Sequence, residues 1–177
     1  MNEIGYELLR DAIIMQAIDD YCLEVKRLVW LNTKAYAINK IVADGKKGKR
    51  KKEYTLEEAE KERLYRIAHH EDRMKAIERF FDSEWYRNMC AIDGKYIIKK
   101  MKDKAIDDMV NMCIFKLKKV KAKNLNSKVS QMTLRQFEML KSFLLSDWLK
   151  KLTERDAETI LQRMKSEANC MFCDFSV

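Results

Sequence analysis

The chain has 177 residues, with 36 Lys or Arg against 28 Asp or Glu, a formal net charge of +8, four glycines and no proline. Turns in sheet proteins lean on Gly and Pro whereas long helices do not, so this composition argues against a β fold and predicts an all-α one. No run of about 18 uncharged apolar residues occurs, which argues against a spanning helix, and the early acidic residues are unlike a signal peptide.

The five cysteines (Cys22, Cys90, Cys113, Cys170, Cys173) are odd in number and widely spread. That pattern is expected of buried reduced thiols in a cytoplasmic protein. The positive charge is local: residues 44–54 and residues 106–132 each carry six basic and two acidic side chains, a net of +4 apiece. Local excess of this kind suits an anionic partner.

In chain order, the first helix is expected from Glu3 to Leu31. Ile4, Leu8, Met15, Cys22, Val25 and Val29 recur at three- and four-residue steps as one apolar stripe, widened by Leu9, Ile13, Ala17 and Tyr21. Asn32-Thr33 ends it, and a second segment runs from Lys34 to Ala43. Residues 44–54 then read as a flexible basic loop, holding Lys46, Lys47, Lys49, Arg50, Lys51 and Lys52. Thr55-Leu56-Glu57-Glu58 is a capping box opening a helix to about Phe81, with Glu62 and Arg66 at ion-pair spacing.

Residues 80–105 align without gaps on residues 143–168 at an offset of 63, with eight of 26 positions identical, Ser83/Ser146, Trp85/Trp148 and Asp93/Asp156 among them. The match predicts an internal duplication. Each copy reads as a helix end, a Ser cap, a short helix anchored in the core by its Trp, a turn, and a further amphipathic helix. Asp93-Gly94 marks the turn in the first copy, and Thr153 is the expected cap in the second. Between the copies, Ile106 to about Lys121 is expected as a helix, Asn124 to Ser130 as a loop, and Thr133 with Gln136 as a second capping box. The fold expected is a single all-α domain, a compact bundle of seven to nine helices with two related helical corners.

Nothing in this pattern supplies an active site. Cys170-Met171-Phe172-Cys173 has the spacing of half a zinc site, but no second Cys or His pair completes it. His69 and His70 are adjacent and diverge by about 100° on a helix, so His69-His70-Glu71-Asp72 reads as a solvated face. The expectation is no catalytic, cofactor or metal site. The helical corner could also present a helix-turn-helix, yet the helix after Asp93 carries lysines without the Asn, Gln or Arg that pair with base edges.

Ala12 to Tyr21, Phe80-Phe81-Asp82-Ser83-Glu84-Trp85 and Ile92-Asp93-Gly94-Lys95-Tyr96 resemble stretches of a group of small helical proteins found in phages and mobile elements of Gram-positive gut bacteria. The resemblance covers roughly the first 105 residues and brings no enzymatic motif with it. It implies a binding protein of a mobile element, some of which look like inhibitors of CRISPR nucleases (anti-CRISPR proteins). The expected function is therefore non-enzymatic docking, in the cytoplasm and away from membranes, on a nucleoprotein such as a CRISPR effector or on DNA or RNA. The lysines and arginine of 44–54, with Lys99, Lys102, Lys116, Lys119 and Lys123, are the expected contacts, and a homodimer is compatible with the pattern. The alternatives are a sequence-tolerant DNA-binding accessory protein and a helical interaction or oligomerisation module with no nucleic-acid role.

Overall fold

The computed structural model describes residues 3–47, 53–120, 125–169 and 173. Among them the chain forms eight helices and no strand: α1 (Glu3–Asn32), α2 (Lys34–Lys47), α3 (Leu56–Phe81), α4 (Glu84–Met89), α5 (Gly94–Leu117), α6 (Lys128–Leu144), α7 (Asp147–Leu152) and α8 (Ala157–Ala168). The protein is an all-α multi-helix bundle. No described helix is long and apolar enough to cross a membrane.

Local chemistry explains most boundaries. The Thr55 hydroxyl accepts from the Glu58 amide at 3.2 Å while the Glu58 carboxylate accepts from the Thr55 amide at 2.9 Å, so the expected capping box opens α3. Arg66 and Glu62 pair at 2.7 Å one turn into it. Between α1 and α2 stands Thr33 alone, and its hydroxyl donates to the Met139 carbonyl of α6 at 3.4 Å. Ser127, not the expected Thr133, caps α6, accepting from the Ser130 amide at 3.2 Å. Thr133 is buried inside that helix and donates back to the Val129 carbonyl, the local bond available to a mid-helix hydroxyl.

Two expected breaks do not occur. The helix α2 continues through Asp44, Gly45, Lys46 and Lys47, which shortens the basic segment 44–54 at its start. A single Gly costs a helix only about 1 kcal/mol, too little to end one by itself. Likewise α5 runs unbroken from Gly94 to Leu117, joining the first corner to the segment expected as a separate helix from Ile106.

The two corners share their bounds at the offset of 63: α4 and α7 begin after Ser83 and Ser146, and α5 and α8 begin after Asp93 and Asp156. Each aspartate caps its helix, Asp93 accepting from the Lys95 amide and Asp156 from the Thr159 amide. Thr153, the expected cap in the second corner, instead closes α7 and donates to Asp103 of α5 at 2.7 Å. The tryptophans are only half-buried. Their neighbours Tyr86 and Leu149 are the anchors, at 1% and 2% exposure.

Tyr86 sits against Phe81 with ring centroids 5.0 Å apart, and its hydroxyl reaches no nitrogen or oxygen partner among the described residues. Tyr86→Phe is therefore expected to cost under about 1 kcal/mol, because the hydroxyl has only the weakly bonding thiol of Cys90 to lose. Tyr86→Ala should cost about 3–5 kcal/mol and exceed Trp85→Ala, since it empties a buried site. Urea melts giving Trp85→Ala the larger loss would contradict this assignment of the anchor.

The core gathers Tyr21, Val25 and Leu28 of α1 with Phe81 of α3, Met101, Ile106 and Val110 of α5, Phe137 and Phe143 of α6, and Leu161 and Met164 of α8. From Gly5 onward along α1, full burial begins at Tyr21. Leu8 and Met15, expected in the buried stripe, are 67% and 55% exposed. The stripe is continuous in sequence, but the bundle leaves its stretch from Leu8 to Met15 largely exposed.

Candidate partner-binding groove

Helices α1, α2, α5 and α6 leave a groove of about 270 Å³ between them. Its apolar wall is Trp30, Met109, Met112, Cys113, Met139 and Leu140, and its rim is Lys26, Lys40, Lys116, Asp108 and Gln136. The methionines come from α5 and α6 at positions where unbranched, polarizable side chains present an adaptable surface. Asp108 is held by Lys26 at 3.0 Å and Lys104 at 3.1 Å, which keeps its carboxyl below the usual range against the opposing effect of partial burial.

Lys40 and Lys116 have no carboxylate partner among the described residues. Lys40 lies over the Trp30 ring at 5.6 Å, and Lys116 donates to the Gln136 side-chain oxygen at 2.9 Å. Beyond the groove the same two helices end in further exposed lysines, Lys46 and Lys47 on α2 and Lys118 and Lys119 past the end of α5. Lys119 covers the Phe115 ring at 3.9 Å. Of these α2 and α5 lysines, Lys40 and Lys116 line the groove itself.

The other expected contact residues lie elsewhere. Lys99 and Lys102 sit 17 residues earlier on α5, about 26 Å from Lys116 and Lys119 at 1.5 Å per residue. Both are paired: Lys99 with Glu154 at 2.6 Å and Lys102 with Glu78 at 3.4 Å. The Glu154 hydrogen bond raises the Lys99 ammonium pKa, and the same contact lowers that of Glu154. Lys99 therefore helps to join the two corners. Lys49, Arg50, Lys51, Lys52 and Lys123 lie outside the described residues, as does Cys170 of the Cys-x-x-Cys pair.

A second cluster escaped the sequence reading. Glu24 is wholly buried, and its carboxylate meets His70 Nδ1 at 2.5 Å, Arg27 Nη1 at 2.8 Å and Arg73 Nε at 3.2 Å. His70 therefore points inward instead of lying on a solvated face. The signal was present: Glu24 follows Tyr21 by three residues and precedes Leu28 by four, inside the buried stripe. Each carboxylate oxygen already has a cationic or imidazole partner, so the cluster crosslinks α1 and α3 instead of presenting a reactive group. Nearby, Arg63 grips Glu60 through two nitrogens and donates to the Leu31 carbonyl at 2.9 Å. The Arg63 bonds, with Lys34, lower the Glu60 carboxyl to about 2.

Among the described residues no cluster of three or more His, Cys, Asp or Glu side chains could hold a metal ion. What the groove offers chemically is an apolar floor with lysines at its edge, suited to a partner that is both apolar and acidic. No protein-family profile, curated protein or solved structure matches this chain.

Proposed function

We propose that this chain is a non-enzymatic, cytoplasmic binding protein of a mobile element that docks on a nucleoprotein through the face formed by α2, the end of α5 and the groove between them. The observation that carries this reading is the pair Lys40 and Lys116, which border a methionine-rich groove without carboxylate partners among the described residues. Lysines left in this state are available to anionic groups of a partner, and an apolar floor beside them adds affinity that salt alone does not abolish. Within that class, the resemblance to phage and mobile-element proteins favours a stoichiometric inhibitor of a CRISPR nuclease. Lysine, a point charge without the planar fork of arginine, also suits contact with phosphates over base readout, so direct DNA or RNA binding would tolerate many sequences.

Titration into CRISPR nuclease cleavage assays tests the reading. Inhibition should saturate near one equivalent, weaken with added salt, and require at least tenfold more of a Lys40→Glu/Lys116→Glu variant, as the loss of about 1.4 kcal/mol or more of binding implies. Cleavage unchanged at large excess across several nucleases overturns the inhibitor assignment. Inhibition by the double variant equal to wild type removes the groove from the interface.

A further inference from the structure

Residues 5–20 of α1 include no buried side chain. Leu8, Leu9 and Met15 are each more than half exposed, and Ile13 is 39% exposed. Single exposed apolar side chains are ordinary, but several along two sides of one helix mark an interaction surface. One side is ordered by spacing. Leu8, Asp11, Ala12, Met15 and Asp19 recur at three- and four-residue steps, so they share a face, and all five are exposed.

The same steps, continued along the helix, reach Leu23, Lys26 and Trp30, of which the last two line the groove. An apolar, acidic stripe and a basic-rimmed apolar groove therefore lie on one face of one helix. Charge matches across them. The stripe carries Asp11, which also meets Arg10 at 2.8 Å, and Asp19, whereas the groove carries Lys26, Lys40 and Lys116 against Asp108.

We infer that a second copy of this chain occupies the groove: two molecules pair through antiparallel α1 helices, each laying its Leu8–Asp19 stripe into the groove of the other. A two-fold axis across α1 satisfies both contacts at once, so the assembly closes at two copies instead of growing into a filament. Helix-in-groove docking of this kind uses anchors at i, i+4 and i+7, the spacing of Leu8, Ala12 and Met15. From Leu8 to Trp30 the seam spans about 33 Å, which makes the expected association weak. The groove is shared with the docking function proposed above, so pairing and docking would exclude one another.

Sedimentation of the purified full chain without nuclease tests pairing separately from that function. The wild type should shift from one to two copies of the 21.1 kDa chain as its concentration rises toward ~300 µM, a range that covers weak, small interfaces. Asp11→Lys/Asp19→Lys makes both stripe and groove basic, and Lys40→Glu/Lys116→Glu makes both acidic. Each variant alone should remain a single copy, while an equimolar mixture of the two should pair, because each stripe then faces a groove of opposite charge. Leu8→Ser/Met15→Ser, which leaves the charges in place, should also remain single. Far-UV circular dichroism checks that the variants are helical. A wild type that stays single throughout, charge variants that pair with themselves, or a mixture that stays single overturns the proposal.

Discussion

Gly94→Ala is expected to destabilise the protein by about 3 kcal/mol, the upper part of the usual range for overpacking. A Cβ at Gly94 would stand 2.2 Å from the Phe81 carbonyl oxygen and 2.8 Å from its carbon. Those are backbone atoms at the end of α3, so no side-chain rotation relieves the overlap. Either α5 or the end of α3 must move, and the Phe81–Tyr86 packing between them loosens. Helix propensity alone favours alanine by up to about 1 kcal/mol, so a net loss isolates the contact. The equivalent residue in the second corner is Ala157, where a Cβ is already accommodated. Ala157→Gly should cost no more than about 1 kcal/mol. Urea unfolding followed by circular dichroism measures both. A Gly94→Ala protein within 1 kcal/mol of wild type would mean that the two helix ends separate without loss.

His70→Ala should cost a similar amount, about 3 kcal/mol, for an electrostatic reason. Glu24 has no access to water, and His70 is the partner of its Oε2. Removing the ring leaves half of a buried carboxylate without a donor, though Arg27 and Arg73 remain on Oε1. Removing Glu24 is the milder change. The arginines are 36% and 47% exposed and can turn to water, so Glu24→Leu should cost about 1–2 kcal/mol. Once Glu24 is gone, His70→Ala should cost little more. The double-mutant cycle should therefore give a coupling of at least about 1.5 kcal/mol. A coupling under 0.5 kcal/mol would show that His70 and Glu24 do not depend on each other.

Local signals in the sequence specified the helix starts well. Thr55 with Glu58, Ser83 and Asp93 act within three residues, and each bond lies where the spacing put it. Signals that depend on distant chain misled. Thr133 and Gln136 have capping-box spacing, but Ser127 six residues earlier had already opened α6. The α1 stripe is periodic throughout, yet periodicity records only that a face is apolar and not which part of it the bundle covers. Trp85 is larger than Tyr86, but the corner turns Tyr86 inward.

The candidate site was legible only as charge. Composition located the basic segments, but not that Lys99 and Lys102 are engaged by Glu154 and Glu78 while Lys40 and Lys116 border one groove. A groove built by four helices has no signature in any one of them. Lys40 carried no sequence signal that set it apart from the other lysines. Nothing in the sequence sets Met109, Met112 and Met139, which line the groove, apart from core methionines.

The unbroken α5 has a consequence for how the molecule behaves as a mechanical object. It is a rod of 24 residues, about 36 Å at 1.5 Å per residue. Near its start Lys99 and Asp103 bind Glu154 and Thr153, and further along Asp107 binds Arg155 and Arg163. Near its end Lys116 borders the groove. Its buried face is shared between α1 on one side and α8 on the other, so neither corner closes a core without it. Among the described residues α5 packs on α1, α3, α6 and α8, so the two halves are expected to unfold together as one cooperative unit. A partner gripping the groove holds one end of a strut whose other end is pinned to both corners, and it meets a surface that resists bending.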